Sequence, residues 1–306
     1  MTIYLPIAEV SLNMLILIGM GVVAGFFSGL LGIGGGFLIT PLLIFYNIPP
    51  AIAVGTSANQ MIASSVTGAI THFKRRTLDI KLGIFLTIGG GVGALIGTQI
   101  FSVLKGLGQL DLIISLLYVI LLGSIGSLMI IESWYDMIRR RKEKKVAIRL
   151  AGRHNWIHKL PFKMRFRTSM IYVSIIPVLG IGLVVGLLSS IMGIGGGFFT
   201  VPALVYLLRV PTNVVIGTSL LQITFVSSFT TVMQSVSNQS VDIVLAFLLM
   251  LGGSIGVQYG IRAGRKLKAE QLRMALAFLV LTVCMHLAFQ LFIRPDNLFS
   301  FTILME

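Results

Sequence analysis

A nineteen-residue stretch that occurs twice constrains the fold more than any other feature of this chain. Residues 25–43 read GFFSGLLGIGGGFLITPLL, and residues 186–204 read GLLSSIMGIGGGFFTVPAL, with identity at ten of the nineteen positions. Each copy holds four glycines within five residues, between two apolar runs. Because a glycine inside a helix costs roughly 1 kcal/mol relative to alanine, the repeat predicts two related halves, each with a helix that breaks at its glycine cluster.

Composition indicates that these halves lie in a membrane. Of 306 residues, 56% are hydrophobic and only 11% are charged, with a mean hydropathy of +0.96, which is too apolar for a soluble domain. The start, MTIYLPIAEVS, has no lysine or arginine before the apolar run, so we expect a first transmembrane helix and no cleaved signal peptide. We expect a multi-pass protein of the cell membrane, as in a prokaryotic inner membrane, with transport as the leading function.

Each half holds four long apolar runs and one short one. The long runs are residues 11–31, 51–72, 82–101 and 111–131, then 171–191, 212–234, 243–261 and 272–293. The short runs, 37–47 and 198–208, cover only about half of a roughly 30 Å hydrocarbon core as helices. They either cross the membrane with help from extended backbone or turn back within it.

The charges of the loops favour the interpretation that the two short runs cross the membrane. Loop 72–81 is basic, whereas its counterpart 234–242 has no lysine or arginine; loop 102–110 has one, and its counterpart 262–273 has five. Equivalent loops therefore lie on opposite sides of the membrane, which requires an odd number of crossings in each half. The sequence predicts an all-α protein with ten transmembrane segments in two inverted five-segment repeats, both termini outside. The alternative is four crossings in each half, with re-entrant short runs and parallel halves.

The chain divides into three predicted regions. Residues 1–131 form an N-terminal transmembrane repeat, residues 132–170 a polybasic cytoplasmic linker, and residues 171–306 a C-terminal transmembrane repeat. Within the linker, residues 139–167 could attract anionic lipid, at about 1 kcal/mol for each lysine or arginine near the surface. Alternatively, the linker only anchors the topology. In the predicted topology 22 of the 24 lysines and arginines face the cytoplasm.

The glycine clusters are the first candidate anion site. A helix break leaves backbone N–H groups free at the start of the next helix, where the helix dipole also favours an anion. The alternative is a purely structural kink. A dinucleotide site is excluded because the cluster follows an apolar membrane run instead of a strand. Glycines spaced four apart, such as Gly21 with Gly25 and Gly89 with Gly93, predict close helix packing.

A second repeated motif supplies hydroxyl and amide groups. Residues 54–60 read VGTSANQ and residues 216–222 read IGTSLLQ. Neutral donors could bind an oxoanion in a low dielectric without trapping it, whereas the alternative is that they only hydrogen-bond neighbouring helices. The full predicted substrate-binding set is Ser28, Gly34, Gly35, Gly36, Thr56, Ser57 and Gln60, with Ser189, Gly195, Gly196, Gly197, Thr218, Ser219 and Gln222.

Several chemistries are not expected. No predicted span carries Asp, Glu, Lys or Arg in its interior, so we expect transport without a buried carboxylate relay. His286 is expected to be a hydrogen-bonded helix residue, and Cys284 a small apolar filler. The sequence offers no catalytic residue pair, metal-ligand set or cofactor motif, so we expect neither an enzyme nor a bound metal or cofactor.

The doubled GxxSxxxGIGGGxxxxPxL signature, with GTSxxxQ after each copy and a basic central loop, resembles the TauE/SafE sulfite-exporter family of anion permeases. The resemblance covers essentially the whole chain. It implies a carrier for sulfite, thiosulfate, sulfoacetate or other sulfonates, but selects neither substrate nor direction. The alternative function is a membrane scaffold or sensor that uses the polybasic loop without transport. The oligomeric state and any coupling ion stay open.

Overall fold

The same order of elements occurs twice along the chain. The computed structural model describes residues 2–142, 161–166, 168–208, 210–264 and 269–292. Within them, each copy runs from an antiparallel β-hairpin through a long helix and a short helix to three further long helices. The hairpins were not predicted, but the architecture is otherwise helical.

The first copy consists of β1 (Thr2–Leu5), β2 (Val10–Asn13), α1 (Met14–Leu31), α2 (Gly36–Phe45), α3 (Pro50–Lys74), α4 (Ile80–Gly106) and α5 (Leu110–Lys142). The second consists of β3 (Lys163–Phe166), β4 (Ile171–Ser174), α6 (Ile175–Met192), α7 (Gly197–Pro202) with a π-helical segment (Ala203–Leu207), α8 (Thr212–Asn238), α9 (Ile243–Ala263) and α10 (Ala269–Phe292). Helix α5 continues past the predicted span end at residue 131. Most of the proposed lipid-binding segment 139–167 lies outside the described residues.

Helix lengths and composition fit an all-α membrane protein. In the described ranges, four helices are long and apolar enough to cross a membrane, namely Ile80–Gly106, Ile175–Met192, Val214–Asn238 and Ile243–Ala263. Shorter apolar helical stretches lie at Met14–Leu30, Gly36–Phe45, Leu110–Ser124 and Val280–Phe289. The chain is therefore a multi-pass membrane protein, and the predicted count of ten crossings remains a prediction.

The helices start and end at residues with a clear physical reason. Asn13 and Ser174 cap α1 and α6, where each side-chain oxygen accepts a backbone N–H of the first turn, and Asp79 and Asp242 do the same for α4 and α9. Such caps satisfy N–H groups that have no partner within the helix. Proline begins α3 at Pro50, where its missing N–H costs nothing.

Close packing through glycine joins the two copies. Helix α1 packs against α9, and a methyl group on Gly25 would overlap the carbonyl oxygen of Gly253. The equivalent pair is α6 against α4, where a methyl group on Gly186 would overlap the carbonyl oxygen of Gly90. The predicted glycine spacing does therefore mark close helix contacts, and each one crosses from one copy to the other.

The contacts also define relative helix directions. Gly68 of α3 lies against Leu220 of α8, while His72, one turn further along α3, lies against Gly217, one turn earlier on α8. Helices α3 and α8, which occupy equivalent positions in the two copies, therefore run antiparallel. Helices α5 and α10 do the same, because Gly123 faces Cys284 and Gly126 faces Leu281.

Candidate functional site

Both glycine clusters interrupt the helices at the same position. Gly32 caps the end of α1 and Gly193 caps the end of α6, each with φ of +68°, a left-handed conformation that suits glycine as a C-terminal cap. The N–H of each cap donates to the carbonyl oxygen four residues earlier, Ser28 or Ser189, at 2.8 Å. The next helix begins at Gly36 or Gly197, as the broken-helix prediction requires.

The two breaks lie against each other. A methyl group on Gly36 would lie 2.5 Å from the carbonyl oxygen of Gly193, and one on Gly197 would overlap the carbonyl oxygen of Ile33. The rings that follow, Phe37 and Phe198, stack with centroids 5.1 Å apart and planes 10° apart. The structure therefore brings together the two clusters that are 161 positions apart in sequence.

Apolar side chains fill the space between the breaks in this conformation. Met61 and Ile223, which are equivalent positions of α3 and α8, form a buried cluster with Ala58. A methyl group on Gly36 or Gly195 would overlap the Met61 sulfur, and one on Gly34 would lie 3.3 Å from Ile223 Cδ1. The centre between the breaks is thus closed, and an anion there would have to displace these two side chains.

Ser57 and Ser219 each hold the break of the opposite copy. The Ser57 hydroxyl lies 3.1 Å from the carbonyl oxygen of Gly193 and 2.9 Å from that of Val54 on its own helix. The Ser219 hydroxyl lies 2.9 Å from the carbonyl oxygen of Gly32 and 3.0 Å from that of Ile216 on its own helix. Both are fully buried. In this conformation each hydroxyl therefore donates to protein, so it is available to a ligand only after a rearrangement.

Thr56 and Thr218 have partners of a different kind. The Thr56 hydroxyl accepts the backbone N–H of Asp242 at 3.1 Å, and the Thr218 hydroxyl accepts that of Asp79 at 3.1 Å. Each threonine thus supports the start of a helix in the opposite copy. These hydrogen bonds place the two predicted ligands at helix caps and not at the glycine breaks.

Three predicted ligands carry buried polar atoms that have no hydrogen-bond partner in the described part of the chain. These are Ser28 Oγ, both amide atoms of Gln60, and Gln222 Nε2. All three residues are at most 1% exposed. A buried polar atom without a hydrogen bond costs about 1–3 kcal/mol of free energy. A ligand or a water molecule that bonds to such an atom would recover part of that free energy.

The two amides lie on different helix interfaces. Gln60 of α3 lies against Gly253 of α9, and Gln222 of α8 lies near Gly90 of α4. These are equivalent positions of the two copies, but the contacts do not place the amides side by side. The prediction that both bind a single anion therefore stays a prediction.

The backbone at the remaining candidate glycines differs between the copies. Gly196 has φ of +75°, where any other L-residue is strained. Gly35 has φ of −77°, which most residues adopt readily, although a methyl group there would lie 3.0 Å from the carbonyl oxygen of Ala24. The backbone conformation therefore requires glycine at Gly196 and does not require it at Gly35.

Two buried aspartates were missed as structural elements by sequence reasoning. Asp79 accepts the backbone N–H and hydroxyl of Ser169, in the β3–β4 turn, at 3.0 and 2.8 Å. Asp242 accepts the N–H groups of Ile7 and Ala8, in the β1–β2 turn, at 3.0 and 3.4 Å. Each carboxylate thus fastens the hairpin of the opposite copy to a helix start. Their equivalent positions after α3 and α8 were a signal that sequence analysis could have used.

The remaining predictions concern lone side chains. Within the described residues, His286 Nε2 has no hydrogen-bond partner, and the ring lies edge-on to Phe45 with centroids 4.5 Å apart. That His286 is a hydrogen-bonded helix residue stays a prediction. Cys284 is buried and lies against the Val119 carbonyl oxygen. In the same parts of the chain, no group of three His, Cys, Asp or Glu residues could hold a metal ion.

Comparison with known proteins places these features in one family. A family model described as sulfite exporter TauE/SafE matches residues 17–287. The probable membrane transporter protein YunE of Bacillus subtilis (strain 168) is 26% identical over 91% of this chain and 98% of its own. A probable membrane transporter protein of Xylella fastidiosa (strain 9a5c) is 29% identical over 85% of this chain and 88% of its own.

A plant relative and the solved structures complete the comparison. The sulfite exporter TauE/SafE family protein 3 of Arabidopsis thaliana is 28% identical over 32% of this chain and 21% of its own. No solved structure matches the chain. The doubled glycine break is thus found in a chain whose full-length relatives are named as membrane transporters. On the match to nearly all of its helical part, the chain belongs to the sulfite exporter TauE/SafE family.

Proposed function

We propose that this protein is a secondary-type transporter of small sulfur-containing anions, such as sulfite, thiosulfate, sulfoacetate or other sulfonates. The observation that carries the proposal is the pair of equivalent buried amides, Gln60 and Gln222, whose Nε2 donors have no partner among the residues that the structure describes. Donors of this kind, together with backbone N–H groups at a helix break, suit an anion. The name of the family and of the plant relative supports a sulfur oxoanion as the substrate class.

Neutral donors also suit a carrier, because the substrate must leave as well as bind. The two glycine breaks, the serines and the amides offer hydrogen bonds without a fixed positive charge, and in the low dielectric of a membrane such a charge would hold an anion strongly. We place the site between the two copies near the bilayer midplane. The proposed ligands are the predicted residues other than Thr56 and Thr218, whose hydroxyls support helix caps in this conformation: Ser28, Gly34, Gly35, Gly36, Ser57, Gln60, Ser189, Gly195, Gly196, Gly197, Ser219 and Gln222.

We infer that the two copies are inverted repeats. Helices α3 and α8, which are equivalent, run antiparallel, as expected for a two-fold axis that lies in the membrane plane. The hydrogen bonds are also exchanged reciprocally, since Ser57 bonds to Gly193 and Ser219 bonds to Gly32. Reciprocal contacts of this kind are typical of a two-fold relation.

Cysteine labelling tests the inverted topology. We would introduce a cysteine at Lys74 or at the exposed Ser237 in a Cys284→Ala background and label intact cells with a membrane-impermeant maleimide. Inverted repeats place Lys74 in the cytoplasm and Ser237 outside, so only the second should react before the cells are opened. Labelling of both from the same side would show that the repeats are parallel.

Alternating access would require the interface between the copies to rearrange. In this conformation Met61 and Ile223 fill the centre, and Ser57 and Ser219 donate across it. A rocking motion of one repeat against the other would separate these contacts in turn and release the two hydroxyls toward the substrate. This is how the closed centre would become a binding site open to one side.

Flux in proteoliposomes tests the function directly. Purified wild-type protein should move at least one of four ³⁵S-labelled anions, sulfite, thiosulfate, sulfoacetate and methanesulfonate, down an imposed gradient. The Gln60→Leu/Gln222→Leu double variant should move that anion several-fold more slowly at subsaturating concentration. Gln99→Leu, on an exposed face of α4, is the matched control. Folded wild-type protein that moves none of the four anion types would contradict transport and favour the scaffold or sensor.

A further inference from the structure

A cavity of about 390 Å³ opens where the end of α3 meets the end of α9. Its polar lining consists of Thr67, Thr71 and Arg75 on one side and Gln258 and Arg262 on the other. Both arginines are exposed at the ends of their helices. The volume lies within the range of pockets that hold small molecules.

The lining presents donors to the cavity. The Thr67 and Thr71 hydroxyls donate to carbonyl oxygens of their own helix at 2.8 and 2.9 Å, so the groups that remain to donate are two guanidinium groups and the Gln258 amide. The Arg262 guanidinium carbon lies 5.9 Å from the Tyr259 ring centroid. Such a contact restrains the side chain through the ring face and leaves its N–H edge for other partners.

The equivalent place at the opposite end of the protein has no such character. Counting along the aligned helices, the five polar lining residues are replaced by one serine, one glutamine and three apolar residues: Phe229, Met233, Ser237, Leu95 and Gln99. None of these carries a charge. Since the two copies share their central contacts and these five positions carry no arginine in the other pair of helices, the overall fold does not require the paired arginines.

We propose that this cavity binds an oxoanion, a sulfonate, sulfate-like or phosphate group, between Arg75 and Arg262. Guanidinium groups bind such groups through parallel N–H···O bonds. Two sources could supply the anion: a soluble sulfur anion on its way to or from the central site, or the phosphate headgroup of an anionic lipid. The first source rests on the proposed transport function, and the second does not.

The position fits the end of the protein that faces the cytoplasm. Arg75 belongs to loop 72–81 and Arg262 begins loop 262–273, the two loops that charge bias places on the cytoplasmic side. The structure brings these separate loops to one cavity. Two positive charges there would raise the local concentration of a small anion at one entrance.

Equilibrium binding tests the proposal on the full chain. We would titrate monodisperse protein in a neutral detergent, at constant ionic strength, with sulfite, with methanesulfonate and with dioctanoyl phosphatidylglycerol. The variants are Arg75→Gln, Arg262→Gln and their double, with Lys74→Gln as the charge-matched control, because Lys74 is exposed nearby and does not line the cavity. Arg75→Lys/Arg262→Lys keeps the charge but removes the fork geometry, and serves as well if the glutamine double variant does not fold.

The results distinguish a soluble anion, a lipid headgroup and the absence of an anion site in this cavity. Weakening of sulfite or methanesulfonate binding by about tenfold or more in the double variant, with Lys74→Gln within twofold, supports a soluble anion. The same loss for phosphatidylglycerol alone supports a lipid headgroup. Unchanged affinity for all three probes in every variant overturns the proposal. The Gln60→Leu/Gln222→Leu variant should retain the binding that depends on Arg75 and Arg262. An error in the proposed central site or in the proposed transport function can therefore be told apart from an error in the proposed arginine cavity.

Discussion

The two copies pack their helices through equivalent glycines, but their central glutamines, Gln60 and Gln222, differ in their hydrogen-bond partners. In the first copy Thr40 donates to Ser57 Oγ at 2.7 Å, and both amide atoms of Gln60 lack a partner among the described residues. In the second copy the Thr200 hydroxyl lies 3.0 Å from Gln222 Oε1 and 3.0 Å from the carbonyl oxygen of Gly196. Of the two Gln222 amide atoms, only Nε2 lacks a partner in the described parts of the chain. A single hydroxyl thus accounts for the difference.

The hydroxyl has moved by one position in the repeat. At an offset of 161, Thr40 aligns with a valine of the second copy, and Thr200 aligns with an isoleucine of the first. One residue turns a side chain by about 100° around a helix, which is enough to change its partner from serine to glutamine. Two amides at equivalent positions therefore have unequal unused hydrogen-bonding capacity, and substitutions in matched pairs can measure what that inequality does.

The largest effect is expected where the copies are most alike. Gly36→Ala and Gly197→Ala should abolish folding or transport, since the added methyl group would overlap the backbone of the opposite break. Gly19→Ala and Gly180→Ala, equivalent positions of α1 and α6 with nothing within 4 Å of the new methyl, should leave stability equal or about 0.5–1 kcal/mol higher. Thermal unfolding and flux measure both, and tolerance of alanine at Gly36 and Gly197 would show that the breaks do not need close approach.

The two hairpin contacts come next. Asp79→Asn and Asp242→Asn should each lower the free energy of unfolding by about 1.5–3 kcal/mol or more, because hydrogen bonds to a buried carboxylate are lost. The folded variants should keep the wild-type dependence of uptake on pH, since we expect no carboxylate relay. Denaturant or thermal unfolding gives the first quantity and flux against pH the second. Loss of pH dependence in either variant would show that a carboxylate takes part in transport.

A smaller loss is expected at the threonines that support these caps. Thr56→Val and Thr218→Val each leave one buried N–H, that of Asp242 or Asp79, without its acceptor. The expected cost is about 1–2 kcal/mol in unfolding free energy, with anion affinity in the folded protein unchanged. Calorimetric titration with sulfite checks the second point. A clear loss of affinity without a loss of stability would restore both threonines as ligands.

The smallest stability change, and the sharpest test of the asymmetry, concerns the glutamines. Gln60→Leu removes two unpartnered polar atoms and should leave stability unchanged or raise it. Gln222→Leu removes one of the two acceptors of the Thr200 hydroxyl and leaves the Gly196 carbonyl oxygen, so it should lower stability by about 0.5 kcal/mol. Each should weaken anion binding about two- to tenfold. Denaturant unfolding of the two variants measures the stability changes, and calorimetric titration with sulfite measures the affinities. Unchanged affinity in both variants would mean that the anion binds elsewhere.

Sequence reasoning predicted the broken helices well because glycine clusters act locally. Four glycines in five residues cannot hold a regular apolar helix, and the repeat showed that the break occurs twice. The same reasoning grouped Thr56 with Ser57 and Gln60, since neighbours on one helix share a motif. It could not separate them, because their partners, Asp242 for Thr56 and Gly193 for Ser57, lie 186 and 136 positions away.

The sequence by itself determined the membrane class, the duplicated architecture and the family, because hydropathy, glycine content and motif identity are properties of short stretches. Only the tertiary structure decided that the two breaks meet, that Met61 and Ile223 close the centre, and that Arg75 and Arg262 line one cavity. Those outcomes depend on how α3 packs against α8 and α9. Helix packing of this kind brings together residues far apart in the chain, and no local pattern encodes which of them will meet.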